Sequence, residues 1–552
     1  MNFKVRSLVA ATLAGSMLMG FGANAMADST DDILNALIAK GILTEEEGAL
    51  LQKGRTGEKE AAEAKKKTSV SAKNKDGSIS FETGDGKNTM ALTGRMQFDM
   101  RSVSGTDSNS NNGTAAAFAS DTNSSRVADQ FELRRARIGV KGKMAEHFDY
   151  EVISNLVGSN TNTVDVAYIN AGMFKQAQLK LGQFKQPFNL EEYGTSSNNI
   201  DFMERSYINQ ITPGKKIGAM LHGVPTTGIT YAGSVYQQNN FGETDSNTDG
   251  KGFMGRLTAN FAELAGWNES VLHVGVAGFD SEYGVVPVTS TNTTESASPK
   301  TRGTVFAFNS EGRGLNNIYR AQIGGDTSAV SGINLASNSS AKVDNKAYGL
   351  ELAATRGPFK VQGEFMDSKF DASNASTGSA ISADVKAYYV EALWVLTGEN
   401  YSDWYKNGAW SGIKPKSNFD VETGKGKGAW EIGFRYDQFE VDNTSITQGT
   451  TASDYTRLQG ATNNQVVQTT SAATKQSYNT STTSGSTGGA KTYTAGIKWQ
   501  LNPNMRVLLN YSHTKFDNPF KLIDVTTSTG GNVDSKLVKD EDLIMLRTQF
   551  SF

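Results

Sequence analysis

Residues 133–141 read Leu-Arg-Arg-Ala-Arg-Ile-Gly-Val-Lys, the densest basic run in the chain. Guanidinium groups offer forked donors that suit phosphate or carboxylate, and they hold their charge at any physiological pH. If Ile138 and Val140 point to one side of a strand, then Arg135, Arg137, Lys141 and Lys143 stand together on the other. The same alternation puts Arg95, Arg101, Arg256, Lys360, Arg435, Lys498, Arg506 and Arg547 on that polar side. It also puts Asp99, Asp149, Glu151, Asp165, Glu351, Glu364, Glu391, Glu431 and Asp437 there. Two readings follow: a wall that attracts anions, or a wall whose cations are consumed by its own acids. Chemistry of other kinds has little support. The four histidines (His147, His222, His273, His513) lack metal-ligand spacing, there is no cysteine, and neither a Gly-x-Ser-x-Gly elbow nor a P-loop occurs. No catalytic, cofactor or metal site is therefore expected. Gly424-Lys425-Gly426-Lys427-Gly428 reads as turn material.

Such a wall needs strands to carry it, and a period of two runs from Met90 to the end of the chain. It gives sixteen windows: 90–103, 130–143, 147–157, 163–173, 177–187, 215–223, 228–237, 251–261, 270–282, 343–356, 358–370, 384–396, 427–441, 491–501, 504–516 and 542–552. Most are long enough for a tilted strand to cross a bilayer. Connections after even-numbered windows are mostly short, as at Ala145-Glu146, Gly357 and Asn502-Pro503. Those after odd-numbered windows are mostly long and polar: 104–129, 188–214, 283–342, 442–490 and 517–541. Sorting by parity is the layout of an outer-membrane barrel, with 397–426 the exception. Apolar rows such as Leu257, Ala259 and Phe261, or Trp430, Ile432, Phe434 and Tyr436, would face lipid, and their polar partners a lumen wide enough to hold water. The expected fold is all-β: a 16-stranded antiparallel transmembrane β-barrel with a short N-terminal helical extension.

The 552 residues carry 57 Gly, 9 Pro and a formal charge of -3, with no internal apolar run long enough for a membrane-spanning helix. Lys4 and Arg6, the apolar stretch 5–21 and Ala25-Met26-Ala27 read as a signal peptide over 1–27, cleaved after Ala27. Residues 28–53 have a helical pattern, either packing on itself or associating with its copies in the periplasm, and 54–88 read as a linker. The barrel then occupies 89–552, in the cell outer membrane and in contact with its lipid. No nucleic-acid partner is expected. The 188–214 connection holds Tyr193, Phe202, Arg205 and Tyr207, more aromatic surface than an exposed loop needs. Inward folding to narrow the pore and capping of the outer rim both account for it.

The segments FELRRARIGVKG (131–142), LKLGQFKQPFNLEEYGTSS (179–197), VLHVGV (271–276), LTGEN (396–400) and GAWEIGFRYD (428–437) together resemble the phosphate- and polyphosphate-selective porins, the porin O and P family. The likeness runs from about Leu92 to Phe552, outside the long loops. It implies a homotrimer of 16-stranded barrels, each with an arginine ladder leading to a lysine-bearing constriction that passes phosphate or pyrophosphate passively. The family's paired arginines fall on Arg134 and Arg135, and its first-strand Gly-Arg on Gly94-Arg95. Its fifth-strand Gly-Arg-Phe is Gly182-Gln183-Phe184 here, followed by Lys185. The loop after VLHVGV carries Lys300, Arg302, Arg313 and Arg320, and the third-strand aspartate position is Asn155. The expected function is passive diffusion of small, phosphate-like anions. The wall residues proposed for it are Arg95, Arg134, Arg135, Arg137, Lys185, Arg256, Arg302 and Arg435. A general or sugar-type porin, or a barrel tethering the envelope through 28–88, are the alternatives.

Overall fold

The computed structural model describes residues 44–46, 53, 69–75, 78–104, 107–109, 129–157, 164–238, 250–285, 304–311, 318–323, 341–375, 378–447, 455–459, 466–468, 483–484, 487–524 and 534–552. Residues 1–27, read from the sequence as a signal peptide, and nearly all of 28–53 lie outside them. One compact unit, Ser71–Glu82 with Lys87–Phe552, holds the whole barrel. Within the other, Met1–Val70 with Thr83–Gly86, the amide of Gly84 donates to the carbonyl of Ser69 at 2.7 Å.

Sixteen antiparallel strands make the wall: β1 Thr89–Ser104, β2 Gln130–Met144, β3 Phe148–Asn155, β4 Val164–Phe174, β5 Ala177–Lys185, β6 Lys215–Thr226, β7 Ile229–Gln237, β8 Lys251–Asn260, β9 Ser270–Val285, β10 Ala341–Arg356, β11 Phe359–Ser373, β12 Ala380–Val395, β13 Ala429–Thr447, β14 Gly488–Asn502, β15 Met505–Asp524 and β16 Asp534–Ser551. Each corresponds to one sequence window. Each pairs with the next, and β16 pairs back onto β1, as in Leu546↔Met100 and Arg547↔Asp99. Closure leaves no open edge, which is the condition for a sheet to stand in lipid. The 54–88 stretch is more than a linker, because Val70–Lys75 and Ser78–Thr83 are strands, and Ser80 and Glu82 pair with Ala91 and Thr89 of β1.

The outer surface explains the alternation. Ile138, Val152, Leu181, Leu257, Leu352, Val361, Val390 and Ile544 are all exposed and apolar. Stacked pairs Phe359/Trp394 and Trp430/Trp499 border the short-turn end, while Tyr388, Tyr436 and Tyr493 cluster nearer the long loops. Trp394 and Tyr388, like Trp430 and Tyr436, stand six residues apart, about 20 Å at roughly 3.3 Å per residue. That separation fits an apolar band between two aromatic girdles.

The closing seam depends on a glycine. The amide of Gly94 donates to the Phe552 carbonyl at 2.9 Å and the amide of Phe552 to the Gly94 carbonyl at 3.0 Å. A Cβ on Gly94 would meet the Phe552 ring and stand 2.9 Å from the Arg137 carbonyl oxygen. Gly94→Val is therefore expected to cost about 1–3 kcal/mol of strain at the seam. The fraction of heat-modifiable, folded barrel on a gel should fall, and an unchanged fraction would show that the seam has slack.

The lumen is not the uniformly polar channel that parity suggested. Toward the long-loop end of β9 to β13, lumen-facing Phe279, Tyr283, Val343, Phe370, Ala383, Val385 and Phe439 form a dry cluster. They are covered by Phe306, Phe308 and Tyr319 of the 304–323 region, with Phe308 stacked on Phe439 at 3.9 Å between centroids. At the other end the long 397–426 connection folds in, placing Tyr401, Trp404, Trp410 and Ile413 against Val271, Ala353 and Leu393. Wall residues under a folded-in loop can be apolar on both faces, so alternation alone misreads them.

Candidate functional site

Residues 186–214 run inside the barrel, tied down at four points. Asn189 takes a left-handed backbone (φ 60°), which asparagine tolerates, and its side-chain oxygen accepts from the Glu192 amide at 2.8 Å. The helical turn Asn189–Tyr193 that follows has its Leu190 and Glu191 amides donating to the Glu364 carboxylate of β11 at 2.8 Å each. Asp201 accepts from Lys360 at 2.6 Å and Lys498 at 3.2 Å. Glu204 meets Arg101, Arg134 and Arg547 at 3.0, 3.1 and 3.2 Å. Burial works to raise the Glu204 pKa, but Arg134, Arg547 and Arg101 outweigh it and hold the carboxyl well below its usual range. Tyr207 donates its amide to Asp437 at 2.8 Å, bonds Thr492 through its hydroxyl at 2.8 Å, and lies edge-on to Phe439.

Phe202 supplies the apolar anchor. Its ring is buried over Gly433 and Gly496, a cross-strand pair of β13 and β14. A Cβ on these glycines would stand 3.2 and 3.1 Å from the ring, so the glycines make the seat. The Arg435 guanidinium covers the ring from 4.8 Å.

A bulge settles how Arg134 and Arg135 can both point inward. Gln97 pairs with Arg135 and Phe98 with Leu133, which leaves Arg134 as the extra residue of β2. Leu133 is thereby turned outward, and Arg134 reaches Glu204 instead of lipid. Strict alternation gives Arg134 to the lipid side; the bulge overrides it.

Most wall cations are consumed. Arg547 holds Asp99 with two bonds of 2.7 Å, and Arg101 joins it at 2.9 Å. Arg256 grips Glu351 at 2.8 and 2.6 Å, with His273 on the same carboxylate at 3.0 Å. Arg435 meets Glu191 at 3.2 Å and Glu311 at 2.9 Å. Lys498 holds Glu431 at 2.6 Å. Arg95, Arg135 and Arg506 differ: all three are buried, and among the described residues their hydrogen-bond partners are neutral, Ser197 for Arg95, Gln97 for Arg135, and Gln549 with the Ile200 carbonyl for Arg506. Lys141 and Lys143 lie exposed toward the short-turn end, the latter 3.9 Å from Asp149.

The open space sits where the balance fails. A cavity of about 380 Å³ lies between β2, β5, β6 and the in-folded loop, lined by Arg135, Arg137, Lys185, Arg205, Lys215 and Lys216. Among its described lining residues the one carboxylate is Glu192. Asp165 backs the wall, 2.7 Å from Arg137 and 2.5 Å from Lys215. A second space of about 190 Å³, lined by Tyr193, His222 and Arg256, adjoins the other side of the same turn. The turn Asn189–Tyr193 thus borders both, with Glu192 on one and Tyr193 on the other.

Of the wall residues expected from the sequence, Arg135, Arg137 and Lys185 meet in the larger cavity, joined by Arg205 of the loop. Arg256 lines the smaller one. Arg134 and Arg435 lie outside both, in the networks that hold the loop, and Arg302 is outside the described residues. Phe202 and Tyr207 are anchors buried away from the cavities, whereas Tyr193 borders one. Sequence reasoning missed Lys215 and Lys216. Their signal is two lysines directly after Pro213-Gly214, where the chain leaves the loop and rejoins the wall.

A family model described as phosphate-selective porin O and P matches residues 90–552. Porin O of Pseudomonas aeruginosa is 24% identical over 489 residues, covering 86% of this chain and 91% of that protein. Among solved structures, OmpT, an outer membrane protein of Vibrio cholerae, is similar with a TM-score of 0.42 at 8% identity, covering 84% of this chain and 98% of that one. An anion-selective porin from Comamonas acidovorans is similar with a TM-score of 0.39 at 10% identity, covering 84% of this chain and all of the other.

Proposed function

Because the chain belongs to the phosphate-selective porin O and P family and is an outer-membrane porin, we propose that it passes small anions, phosphate or pyrophosphate first, through the cation-lined side of its barrel. The observation that carries this reading is the cavity with six cations against two carboxylates, Glu192 in its lining and Asp165 paired to Arg137 and Lys215 behind it. In a site where protein replaces most of the water, such an excess raises the local concentration of anions and repels cations. Guanidinium forks at Arg135, Arg137 and Arg205 suit oxyanions with several acceptor oxygens. The family's description as phosphate-selective supports phosphate as the first candidate.

Reversal potentials in planar bilayers under a tenfold KCl gradient test it. Anion preference is expected, with chloride current falling as phosphate is added; cation preference would overturn the proposal. A sugar-type channel finds less support, since among the described residues most buried aromatics pack in apolar clusters, and only single tyrosines of the lumen, Tyr283 and Tyr193, border the two cavities. Like the barrels of its family, the protein is proposed to act as a homotrimer.

A further inference from the structure

Glu192 sits where a solute anion would bind. Its carboxylate lies 2.9 Å from Arg205 and 3.5 Å from Lys185, inside the cavity those two share with Arg135, Arg137, Lys215 and Lys216. The group is held there by the fold. Lys185 and Arg205 also donate to the Thr195 carbonyl at 2.9 and 3.0 Å, and Arg205 to the Glu191 carbonyl at 3.1 Å, so both cations are fixed to the loop backbone independently of the carboxylate. The Glu192 amide is in turn pinned to Asn189, and the turn's preceding amides to Glu364. Burial works against ionisation, but Arg205, Lys185 and Lys215 keep the Glu192 pKa down at about 2.

Glu192 adds one loop-to-wall tie, to Lys185 of β5, but the loop's docking does not depend on it alone. Asp201, Phe202, Glu204 and Tyr207 fix the loop on the far side. Its effect falls on the cations around it. Resting on the reading of this cavity as an anion path, we propose that Glu192 is a resident counter-anion: a built-in competitor that occupies the solute subsite between passages and sets how tightly a phosphate-like anion is held. Conduction requires binding strong enough to admit the ion and weak enough to release it. Six cations with Asp165 as their one remaining carboxylate among the described residues would hold an arriving anion too tightly to release it. With Glu192 present, an arriving oxyanion displaces the carboxylate from Arg205 and Lys185, and the carboxylate's return helps to expel it. No covalent chemistry is involved.

The test is Glu192→Gln, which keeps the shape of the side chain and removes its charge, measured beside Glu192→Asp, which keeps the charge and withdraws it by one methylene. The phosphate concentration that halves the chloride current of the purified full-length channel is expected to fall about tenfold in Glu192→Gln, equivalent to about 1.4 kcal/mol. Glu192→Asp should give a smaller shift in the same direction. Phosphate exit, read from the dwell time of single blocking events, should lengthen in the same order. A wild-type channel that prefers anions and is blocked by phosphate, paired with variants whose half-blocking concentration is unchanged or raised, overturns the resident-anion role alone. A wild-type channel without anion preference overturns the proposed function and this inference together. If Glu192→Gln does not give heat-modifiable barrels, Glu192→Asp decides, and an unshifted half-blocking concentration there overturns the role.

Discussion

Replacing Arg135 and Arg137 together by alanine is expected to lower the anion-to-cation permeability ratio by roughly tenfold, about 1.4 kcal/mol in the relative entry of the two ions. Arg135 is the stronger half of that expectation. Its guanidinium has Gln97 as its bonded partner at 2.7 Å, so its charge is not spent on a neighbouring acid. Arg137 shares Asp165 with Lys215, and its removal leaves that carboxylate facing the cavity with one cation fewer. Both changes move the local field in the same direction, where little water screens it. Lys143→Ala is the comparison: an exposed lysine 3.9 Å from Asp149 at the wet end should change the ratio little. Reversal potentials in a KCl gradient measure both, and an unchanged ratio in the double variant would place the ion path elsewhere in the barrel.

What the sequence disclosed and what it hid divide along a physical line. Strand number, loop parity and lipid-facing rows were legible because lipid imposes one rule on every wall position: apolar outward, in register, for the length of the strand. The last strand shows this well. Arg547, the lone charge in LIMLRTQFSF, was assignable to the lumen from alternation, and it lies fully buried against Asp99. The lumen obeys no such single rule. A side chain there may meet water, a loop or another wall residue, and the choice is made by segments distant in sequence. Arg435 and Arg135 are indistinguishable by parity, yet one is spent on Glu191 and Glu311 and the other borders open space. Phe370 and Phe439 look misplaced on an inner face until Phe306 and Phe308 cover them. The 397–426 connection, on the short-turn side, was an anomaly of length alone; its reason is that it folds inward and packs Trp404 and Trp410 against Val271, Ala353 and Leu393 of the wall. The bulge at Arg134 is a backbone event, and the hint of it lay in the family's paired arginines.

Phe202→Ala is expected to have the largest effect on the pore itself. The ring is buried on Gly433 and Gly496 and capped by Arg435, and the two glycines beneath it have no side chains to fill the space it would leave, so only neighbours such as Leu393 could move toward it. Truncating a well-packed phenylalanine costs about 3–5 kcal/mol, and the cost depends on how far the site can collapse. Here that free energy bears on the docking of one loop. The barrel's sixteen ladders do not pass through Phe202, so the strands should stay paired and the barrel heat-modifiable. The turn at 189–193 stays tied to Glu364 and Tyr207 to Asp437 and Thr492, but the ties nearest the ring, Asp201 to Lys360 and Glu204 to its three arginines, are ion pairs that water can reach once the ring is gone. Single-channel records should then show larger and noisier conductance, with anion preference reduced because Arg205 and Glu192 no longer hold fixed positions against Arg135 and Lys185. Phe202→Leu should recover most of the quiet state. If Phe202→Ala conducts like wild type, the polar ties suffice, and the Gly433–Gly496 seat is packing without consequence for the channel.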